Sequence, residues 1–439
     1  MSNYESYPAY RESNIDWFPE MPIDWDSIKV KHIFNERVEK GFPNEPLLAA
    51  TQTKGVVRKE EYENTTVTAQ KDFHLLKLVK VGDFVISLRS FQGGIEIAYQ
   101  QGIISPAYTI MQLKDSIDKS YFKHLFKSKY FIDGLTTFVT GIREGQNIDY
   151  SKFRRSFSPL PPKPEQSAIA QFLDRKTAEI KAFIELKEKT IALLKERKTA
   201  IINQAVTKGL DPNVEMKDSG IVWLGEIPKH WEVKKLKYLM SISGRVGWKA
   251  LTASEYVPDG YVFLATPNIK FKEIDFEDVN YITKKRFDES PELILEKGDV
   301  LLTKDGSTVG TVNVVRDLPR PSTVNSSIAV LKDKSGHLVS EYCFYTIKSN
   351  YLSELIHFKK EGMGVPHLFQ SDIKQFEMIL PPVSEQNEIV DFIQNASVEL
   401  DSLMDQAEKE IALIKEYQQS LISEAVTGKI DVRGEVEVT

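Results

Sequence analysis

Cysteine is almost missing from this sequence of 439 residues, and the single Cys343 excludes an intramolecular disulfide. Cys343 stands in a run of aromatic neighbours, so we expect it in the core. No apolar stretch approaches the roughly 20 residues that cross a bilayer, and the first residues show neither a basic start nor an apolar run. The sequence therefore predicts a cytoplasmic protein without membrane contact.

An excess of positive charge is also lacking. The net charge is −6 and the pI is near 5.8, values that do not by themselves indicate nucleic-acid binding. They remain compatible with a DNA binder whose basic residues are local or whose partners supply charge. The seven histidines are scattered without the spacing of a zinc site, so no metal is expected. A hydrophobic content of 41% and 10% aromatic residues favour two or three folded domains.

Catalytic motifs are missing as well. The glycine-rich stretch Gly306–Gly310 is not closed by the Lys-Ser/Thr pair of a phosphate-binding loop. Both Pro-Pro pairs follow leucine, whereas an adenine methyltransferase needs an Asn/Asp-Pro-Pro-aromatic motif. Clustered carboxylates with a lysine, as in a nuclease, are not evident. We therefore expect no catalytic residue and no cofactor on this chain.

What the sequence does contain is a long internal repeat. The stretch Pro159–Asp211 returns at Ile379–Asp431 without a gap, at a constant offset of 220. Each copy opens on L-P-P-x2-E-Q and closes on matching Ala, Thr and Asp residues. A period of this length indicates a duplicated module.

Each copy of the repeat predicts one long helix. A double proline stands at its start, and Gly209 or Gly428 lies where it would end. Apolar residues recur in steps of four and three, the pattern of a coiled-coil seam. The predicted seam residues are Leu173, Ile180, Ile184, Ile191, Leu194, Ile201, Ile393, Leu400, Met404, Ile411, Ile414 and Leu421.

Chain connectivity predicts that the two helices are antiparallel. The segment between them leaves the first helix at its C-terminal end and enters the second at its N-terminal end, and these ends lie together only in an antiparallel pair. We expect an α+β protein in which two similar globular domains are joined by two long antiparallel coiled-coil helices with a pseudo-two-fold axis.

The globular parts repeat too. Trp17 and Trp25 match Trp223 and Trp231 at an offset of 206, and tryptophans around a proline indicate a packed corner. Each part then has a Gly-Asp turn that leads into a buried strand and ends in a polar loop. A short helix is predicted after these strands, at 121–135 and at 341–358. Residues 1–15 are polar and are expected to be loosely attached.

This arrangement resembles the specificity subunit of type I restriction-modification systems, over essentially the whole chain. The resemblance rests on W-x4-P-x2-W at the start of each globular part and on L-P-P-x2-E-Q at the start of each helix. It implies target recognition domains at 1–160 and 212–380, a central conserved helix at 161–211, and a C-terminal conserved helix and tail at 381–439.

The resemblance also implies a function and partners. Each target recognition domain would read one half of an asymmetric, bipartite double-stranded DNA target. The helices would set the gap between the halves and dock two modification (methyltransferase) subunits, and restriction subunits through them. S-adenosylmethionine, ATP and Mg would be bound by those partners.

Base reading needs paired donors and acceptors at groove edges, and phosphate contacts need cations, hydroxyls or backbone N–H groups. The polar loops supply such groups. In the first domain the candidates are Lys54, Arg58, Arg89, Ser90, Gln92, Arg143, Gln146 and Asn147. In the second they are Lys249, Asn268, Lys304, Ser307, Asn325, Ser326, Lys359, Lys360 and His367.

Two other classes of function stay open on the residues alone. A coiled-coil scaffold or adaptor that binds only protein fits the helices and the bilobal plan. A self-sufficient modification enzyme is disfavoured by the missing motifs.

Overall fold

The structure, a computed structural model, describes residues 4–52, 54–62, 72–114, 117–140, 147–244, 251–270, 272–359 and 366–435. The chain divides into two compact units. Unit 1 comprises Met1–Glu188 and Glu408–Thr439, and unit 2 comprises Lys189–Ala407. The division falls within both long helices, so each unit contains part of each.

Over its described residues, unit 1 combines short strands with five short α-helices and parts of the two long ones. Its strands are β1 (Tyr10–Ile15), β2 (Phe18–Pro22), β3 (Asp26–Lys29), β4 (Phe34–Arg37), β5 (Leu48–Thr51), β6 (Gly55–Arg58), β7 (Lys77–Val79), β8 (Phe84–Ile86), β9 (Glu96–Ile97), β10 (Gly102–Ile104), β11 (Thr109–Leu113), β12 (Val139–Thr140), β13 (Asn147–Ile148) and β14 (Phe157–Leu160). Its helices are α1 (Val30–Ile33), α2 (Ser90–Gly93), α3 (Lys119–Leu125), α4 (Lys129–Leu135), α5 (Tyr150–Phe153) and the first part of α6 (Lys163–Lys208).

Unit 2 repeats this plan. Its strands are β15 (Met216–Asp218), β16 (Glu226–Pro228), β17 (Glu232–Lys235), β18 (Met240–Ser243), β19 (Tyr261–Leu264), β20 (Asn280–Ile282), β21 (Val300–Thr303), β22 (Val312–Val314), β23 (Ser322–Val324), β24 (Ile328–Asp333) and β25 (Glu377–Leu380). Its helices are α7 (Leu236–Leu239), α8 (Lys284–Asp288), α9 (Ser340–Lys348), α10 (Asn350–Lys359), α11 (Gln370–Ile373) and the first part of α12 (Val383–Val426).

Equivalent four-stranded antiparallel sheets form the centre of both units. Their order is β4-β11-β8-β9 in unit 1 and β18-β24-β21-β22 in unit 2. The central strands β8 and β21 are buried along their whole length. Each follows a Gly-Asp turn whose glycine has a positive φ, 91° at Gly82 and 94° at Gly298, so the predicted turn and buried strand are confirmed.

The two predicted long helices are confirmed as α6 and α12. Both stop just before a glycine in the left-handed region, Gly209 with φ 76° and Gly428 with φ 66°. The predicted antiparallel orientation is visible within each unit. In unit 1 Lys187 pairs with Glu410 at 2.5 Å, and Leu173 shares the core with Leu421. In unit 2 Lys198 pairs with Asp401 at 2.7 Å, and Ile202 shares the core with Ile393, so in each unit the numbering rises along α6 as it falls along α12.

None of the predicted seam residues is exposed. Buried members are Leu173, Ile180, Ile191, Ile393, Leu400 and Leu421, and half-buried members are Ile184, Leu194, Ile201, Met404, Ile411 and Ile414. At the helix ends the seam merges with the cores of the units. Phe172 and Leu421 belong to the core of unit 1, and Ile202 and Ile393 to that of unit 2.

Three expectations were wrong. The predicted helix at 121–135 is two helices, because Ser128 takes an extended backbone and caps α4 by accepting from the Phe131 N–H. The second copy also breaks, at Ser349, whose backbone is extended and whose hydroxyl donates to the Thr346 carbonyl over 2.6 Å. Residues 4–15 are not loose: β1 pairs with β2, and the buried Tyr7 donates its hydroxyl to Glu165.

The third wrong expectation is the burial of Trp223, which is exposed. Trp25 and Trp231 are fully buried, as a packed corner requires, and Cys343 is buried as expected. Trp17 lies against Gly134, where an added Cβ would meet the indole at 2.4 Å. At the position equivalent to Gly134, unit 2 carries Leu355, which packs against the core, and Trp223 is 59% exposed. A leucine does not leave the gap that the Trp17 indole fills.

Candidate nucleic-acid interface

In unit 1, four of the predicted residues come together at the end of the buried strand β8. The strand runs into a turn and α2, which present Arg89 and Gln92 to solvent. The β5–β6 hairpin turn carries the exposed Lys54 and reaches α2, because Gln52 packs directly against Gly93. The exposed Asn147 begins β13, which also lies beside α2. Two cations and two amides therefore share one neighbourhood.

Other predicted residues of unit 1 are placed differently. Arg58 is exposed at the opposite end of the hairpin, where its backbone N–H donates to Oε1 of Gln100 over 3.0 Å. Ser90 is buried, and its hydroxyl oxygen accepts from the Ser87 backbone N–H over 2.8 Å. Arg143 and Gln146 lie outside the described residues.

In unit 2, three segments meet at the end of the equivalent strand β21. The Lys304 N–H donates to the Ser327 carbonyl over 2.8 Å, and the Leu368 N–H donates to the Lys304 carbonyl over 2.8 Å. The Gly306 N–H donates to the Pro366 carbonyl over 3.0 Å. The backbone thus joins the loop after β21 to the loop before β24 and to the segment before α11.

An acidic residue organises the side chains of this cluster. Asp305 pairs with Nζ of the largely buried Lys304 at 2.9 Å and with Nδ1 of His367. Burial raises the pKa of the Asp305 carboxyl, but the hydrogen bonds from Lys304 and His367 outweigh burial, so the net pKa lies below its ordinary value. Asp305 therefore stays ionised and holds both side chains in place. The exposed hydroxyls of Ser307 and Ser326 stand at the rim.

The remaining candidates of unit 2 have internal partners or lie outside the described residues. The buried Asn268 accepts from the Ala265 N–H over 2.9 Å and donates to the Asp278 carbonyl over 2.7 Å. Asn325 is half-buried and accepts from the Ser327 N–H over 3.1 Å. Lys359 pairs with Asp372 at 3.1 Å. Lys249 and Lys360 lie outside the described residues.

Two residues of the unit 2 cluster were missed by sequence reasoning. Phe369 is 61% exposed and stands edge-on to the His367 ring, with 4.3 Å between ring centroids. Gln370 packs on Gly244, where an added Cβ would meet its amide nitrogen at 2.2 Å. Their signal was weak, because both follow residues 366–368, which are positioned by pairing with residues 304–306 far away in sequence. Together with Ser307 and His367 they give a surface of hydroxyl, imidazole, amide and aromatic groups.

The chemistry available at both clusters is that of contact rather than catalysis. Amides, guanidinium groups and hydroxyls donate to or accept from base edges and phosphates. Within the described ranges, no group of three or more His, Cys, Asp or Glu side chains is arranged to hold a metal ion. Nor does any helix there combine the length and apolarity of a membrane-crossing segment.

Part of the chain matches a known family. Residues 228–413 match the family described as type I restriction modification DNA specificity domain. This match covers most of unit 2 and the beginning of unit 1's share of α12.

Individual relatives extend the similarity over most of the chain. The chain is 25% identical to the type I restriction enzyme MjaVIII specificity subunit of Methanocaldococcus jannaschii over 81% of both chains. It is 21% identical to the EcoBI specificity subunit of Escherichia coli over 71% of this chain and 68% of that one. The resemblance to type I specificity subunits is thereby confirmed.

Solved structures confirm the fold. A chain from work on complex assembly and conformational transition of the type I R-M system superposes with a TM-score of 0.71, at 14% identity, covering 93% of this chain and 99% of that one. The HsdS subunit from Thermoanaerobacter tengcongensis superposes with a TM-score of 0.53, at 15% identity, covering 93% and 98%.

Proposed function

We propose that this chain is the DNA-recognition subunit of a type I restriction-modification complex, and that each unit reads one half of a bipartite, asymmetric target. One observation carries the proposal. Both units place polar side chains at the end of the same buried strand, but the side chains differ: Arg89 and Gln92 follow β8, whereas Asp305 and Ser307 follow β21. A shared framework with different contact groups suits two sites of one kind with different specificities.

The residues proposed to contact DNA are the exposed or half-exposed members of the two clusters. In unit 1 they are Lys54, Arg89, Gln92 and Asn147, and in unit 2 they are Ser307, Ser326, His367 and Phe369. Ser90, Asn268 and Lys304 are assigned to shaping the clusters, because they are buried and their polar groups are bonded internally.

Partner docking is proposed for the outer face of the long helices. Phe183 and Leu193 on α6 are 37% and 54% exposed, although they stand beside a covered seam. Leu403 and Leu413, which match them at the offset of 220, are 44% and 65% exposed. Large apolar side chains left in solvent favour a protein contact. Their repetition favours two copies of one partner, which we assign as two methyltransferase subunits.

The chain itself is proposed to be non-catalytic and cytoplasmic. S-adenosylmethionine, ATP and Mg belong in this proposal to the methyltransferase and restriction subunits. A protein-only adaptor is the alternative, and duplex binding separates the two. Neutralising phosphates gives an affinity that falls steeply with salt, whereas an adaptor has no duplex affinity to lose.

The decisive experiment is a genome-wide map of adenine methylation, in cells with the chain and its methyltransferase and in cells lacking only the chain. We expect a split motif with a fixed gap that disappears with the deletion. A chimaera in which residues 222–378 come from another specificity subunit should change one half of that motif. Unchanged methylation in the deletion, with the protein shown to be expressed in the control, contradicts the proposal.

A further inference from the structure

One lysine of unit 1 joins the segments that carry the proposed DNA contacts. Lys127 follows α3, and its ammonium donates to the carbonyl oxygens of Gln52 over 3.1 Å and Gly93 over 2.8 Å. It also pairs with the carboxylate of Glu96 on β9. A single cation therefore ties the β5–β6 hairpin turn to the end of α2 and to the sheet beneath them.

The two tied segments are packed too closely to be independent. A Cβ on Gly93 would meet the Gln52 side chain at 2.8 Å, and one on Gly94 would meet the Phe126 carbonyl oxygen at 2.1 Å. Gly94 also has a positive φ of 82°. Two carbonyl oxygens converge on one point here, and a cation between them offsets the repulsion of their partial charges.

The contacts of Lys127 with Gln52, Gly93 and Glu96 form a clamp, and because the clamp is largely buried, the loss of either charge should destabilise it. The side chain of Glu96 is 4% exposed and that of Lys127 is 29% exposed. Burial raises the pKa of the Glu96 carboxyl above its ordinary value, although the charge and hydrogen bond of Lys127 act in the opposite direction. Removing Lys127 alone leaves a buried carboxyl without its cation and two carbonyls without their donor.

We propose that Lys127 is a positioning residue for recognition of one half of the DNA target. This inference rests on the proposed function, and it adds a residue that positions the DNA contacts of unit 1. Lys127 holds Lys54 on the hairpin turn and Arg89 and Gln92 at α2 in one fixed spacing. It acts through these segments, and its own ammonium is engaged with protein groups.

The test compares four variants of the chain in complex with its methyltransferase subunit, one of them the conservative Lys127→Arg. Lys127→Met removes the clamp, Glu96→Gln removes only the buried charge, and the double variant removes both. The assay measures methylation rates on duplexes with the native target and with single-base changes in either half. Thermal unfolding of each complex is measured alongside, because Lys127→Met alone is expected to unfold at a lower temperature.

The double variant is the informative one, since it buries no unpaired charge. We expect it to fold, but to lose about tenfold in discrimination against base changes in one half, the equivalent of about 1.4 kcal/mol. Discrimination in the other half stays unchanged and serves as an internal control. Glu96→Gln keeps both discriminations, and Lys127→Arg, which can still donate to both carbonyls, recovers most of the loss.

Two results overturn the inference. One is a folded double variant with native discrimination in both halves, and the other is an equal loss in both halves. Failure of the proposed function is a different outcome, in which the native complex itself methylates no split sequence.

Discussion

The indole N–H of Trp25 donates a hydrogen bond to Oε1 of Glu165 over 2.8 Å. In unit 2 the equivalent Trp231 donates to Oε1 of Glu385 over 3.0 Å. The tryptophan belongs to the W-x4-P-x2-W motif and the glutamate to L-P-P-x2-E-Q. The two repeated motifs are therefore the two ends of one hydrogen bond, which anchors the start of each unit to the first turn of its long helix.

Replacing Glu165 should destabilise unit 1. Glu165 is buried and also accepts from the Tyr7 hydroxyl, so Glu165→Ala leaves two buried donors unpaired. We expect a loss of about 1–3 kcal/mol in the free energy of unfolding, measured by urea denaturation. Glu385→Ala should lose less, because Glu385 is only half-buried and its other partner, His230, is exposed. Equal losses at the two sites would contradict this ranking.

A second prediction concerns the buried aspartate of each Gly-Asp turn. In unit 1 Asp83 pairs with Arg37 of β4 at 2.7 Å, and both side chains are buried. In unit 2 Asp299 has Lys332 of β24 at 3.3 Å instead. Arg37→Met should cost about 3–5 kcal/mol, because it leaves a buried carboxylate without its cation.

The pair can be tested by a double-mutant cycle. Adding Asp83→Asn to Arg37→Met should recover part of the lost stability, since the unpaired charge is gone. Lys332→Met serves as the comparison and should cost less, because the Lys332 side chain is 24% exposed. A double variant no more stable than Arg37→Met would show that packing, not charge, governs the site.

The long helices could be predicted from the sequence, whereas these ion pairs could not. The heptads, prolines and glycines act locally, so they sufficed for the long helices and their ends. The buried aspartate pairs with Arg37 of β4 in unit 1 but with Lys332 of β24 in unit 2. Which cation it meets depends on which strands are neighbours, and no local sequence pattern encodes that. The loops of Ser90 and Asn268 were predicted, but not that these side chains turn inward and bond backbone groups of their own loops. Trp17 lies on Gly134, more than a hundred positions away in sequence, whereas Trp223, in the unit that carries Leu355 at the equivalent position, is exposed.

Stability at low pH should depend on Asp174. His124 hydrogen-bonds the Asp174 carboxylate at 2.7 Å, Lys123 pairs with it, and together they lower its pKa to about 2. A carboxyl whose pKa is lowered by folding stabilises the protein above its ordinary pKa and loses that effect as the pH falls toward the lowered value. Asp174→Asn should therefore be less stable than the native chain above about pH 4.

The difference in unfolding free energy between the native chain and Asp174→Asn should disappear between about pH 4 and pH 2. Its size should be roughly 1 kcal/mol or less, because the Asp174 side chain is 48% exposed and screened by solvent. Chemical denaturation across this range measures it. A difference in unfolding free energy that stays constant with pH would mean that Asp174 stabilises the fold by packing alone.

The exposed leucines of the long helices give a prediction on assembly. Leu193→Asp and Leu413→Asp should leave unfolding unchanged within error, because these side chains are 54% and 65% exposed. Each should weaken co-purification with the methyltransferase subunit, and the double variant should abolish it. Lys195→Asp, at an exposed position on α6, changes charge without removing an apolar contact and should assemble normally. Normal assembly of the double variant would exclude this face as the docking site.

The length of the helices should set the gap in the DNA target. One extra heptad in both α6 and α12 adds about 10 Å to the pair, or about three base pairs of B-form DNA. We expect a methylation motif with a longer gap and unchanged half-sequences. Altered half-sequences would mean that the helices contribute to base reading.

Unit 1 is built from both ends of the chain, and this has a consequence for its synthesis. The Asp431 N–H donates to the Glu5 carbonyl over 2.7 Å, and Leu421, Val426 and Val432 complete the core around Trp25. The ribosome makes residues 4–188 of unit 1 before unit 2, yet their core cannot close until residues 421–432 have emerged. All of unit 2 is made in between, which takes on the order of 10–40 s at usual elongation rates. Unit 2 is continuous in sequence and can fold during that interval. The half of the protein that is translated first is thus the half that is finished last, and a prematurely terminated chain retains an unfinished core open to proteases.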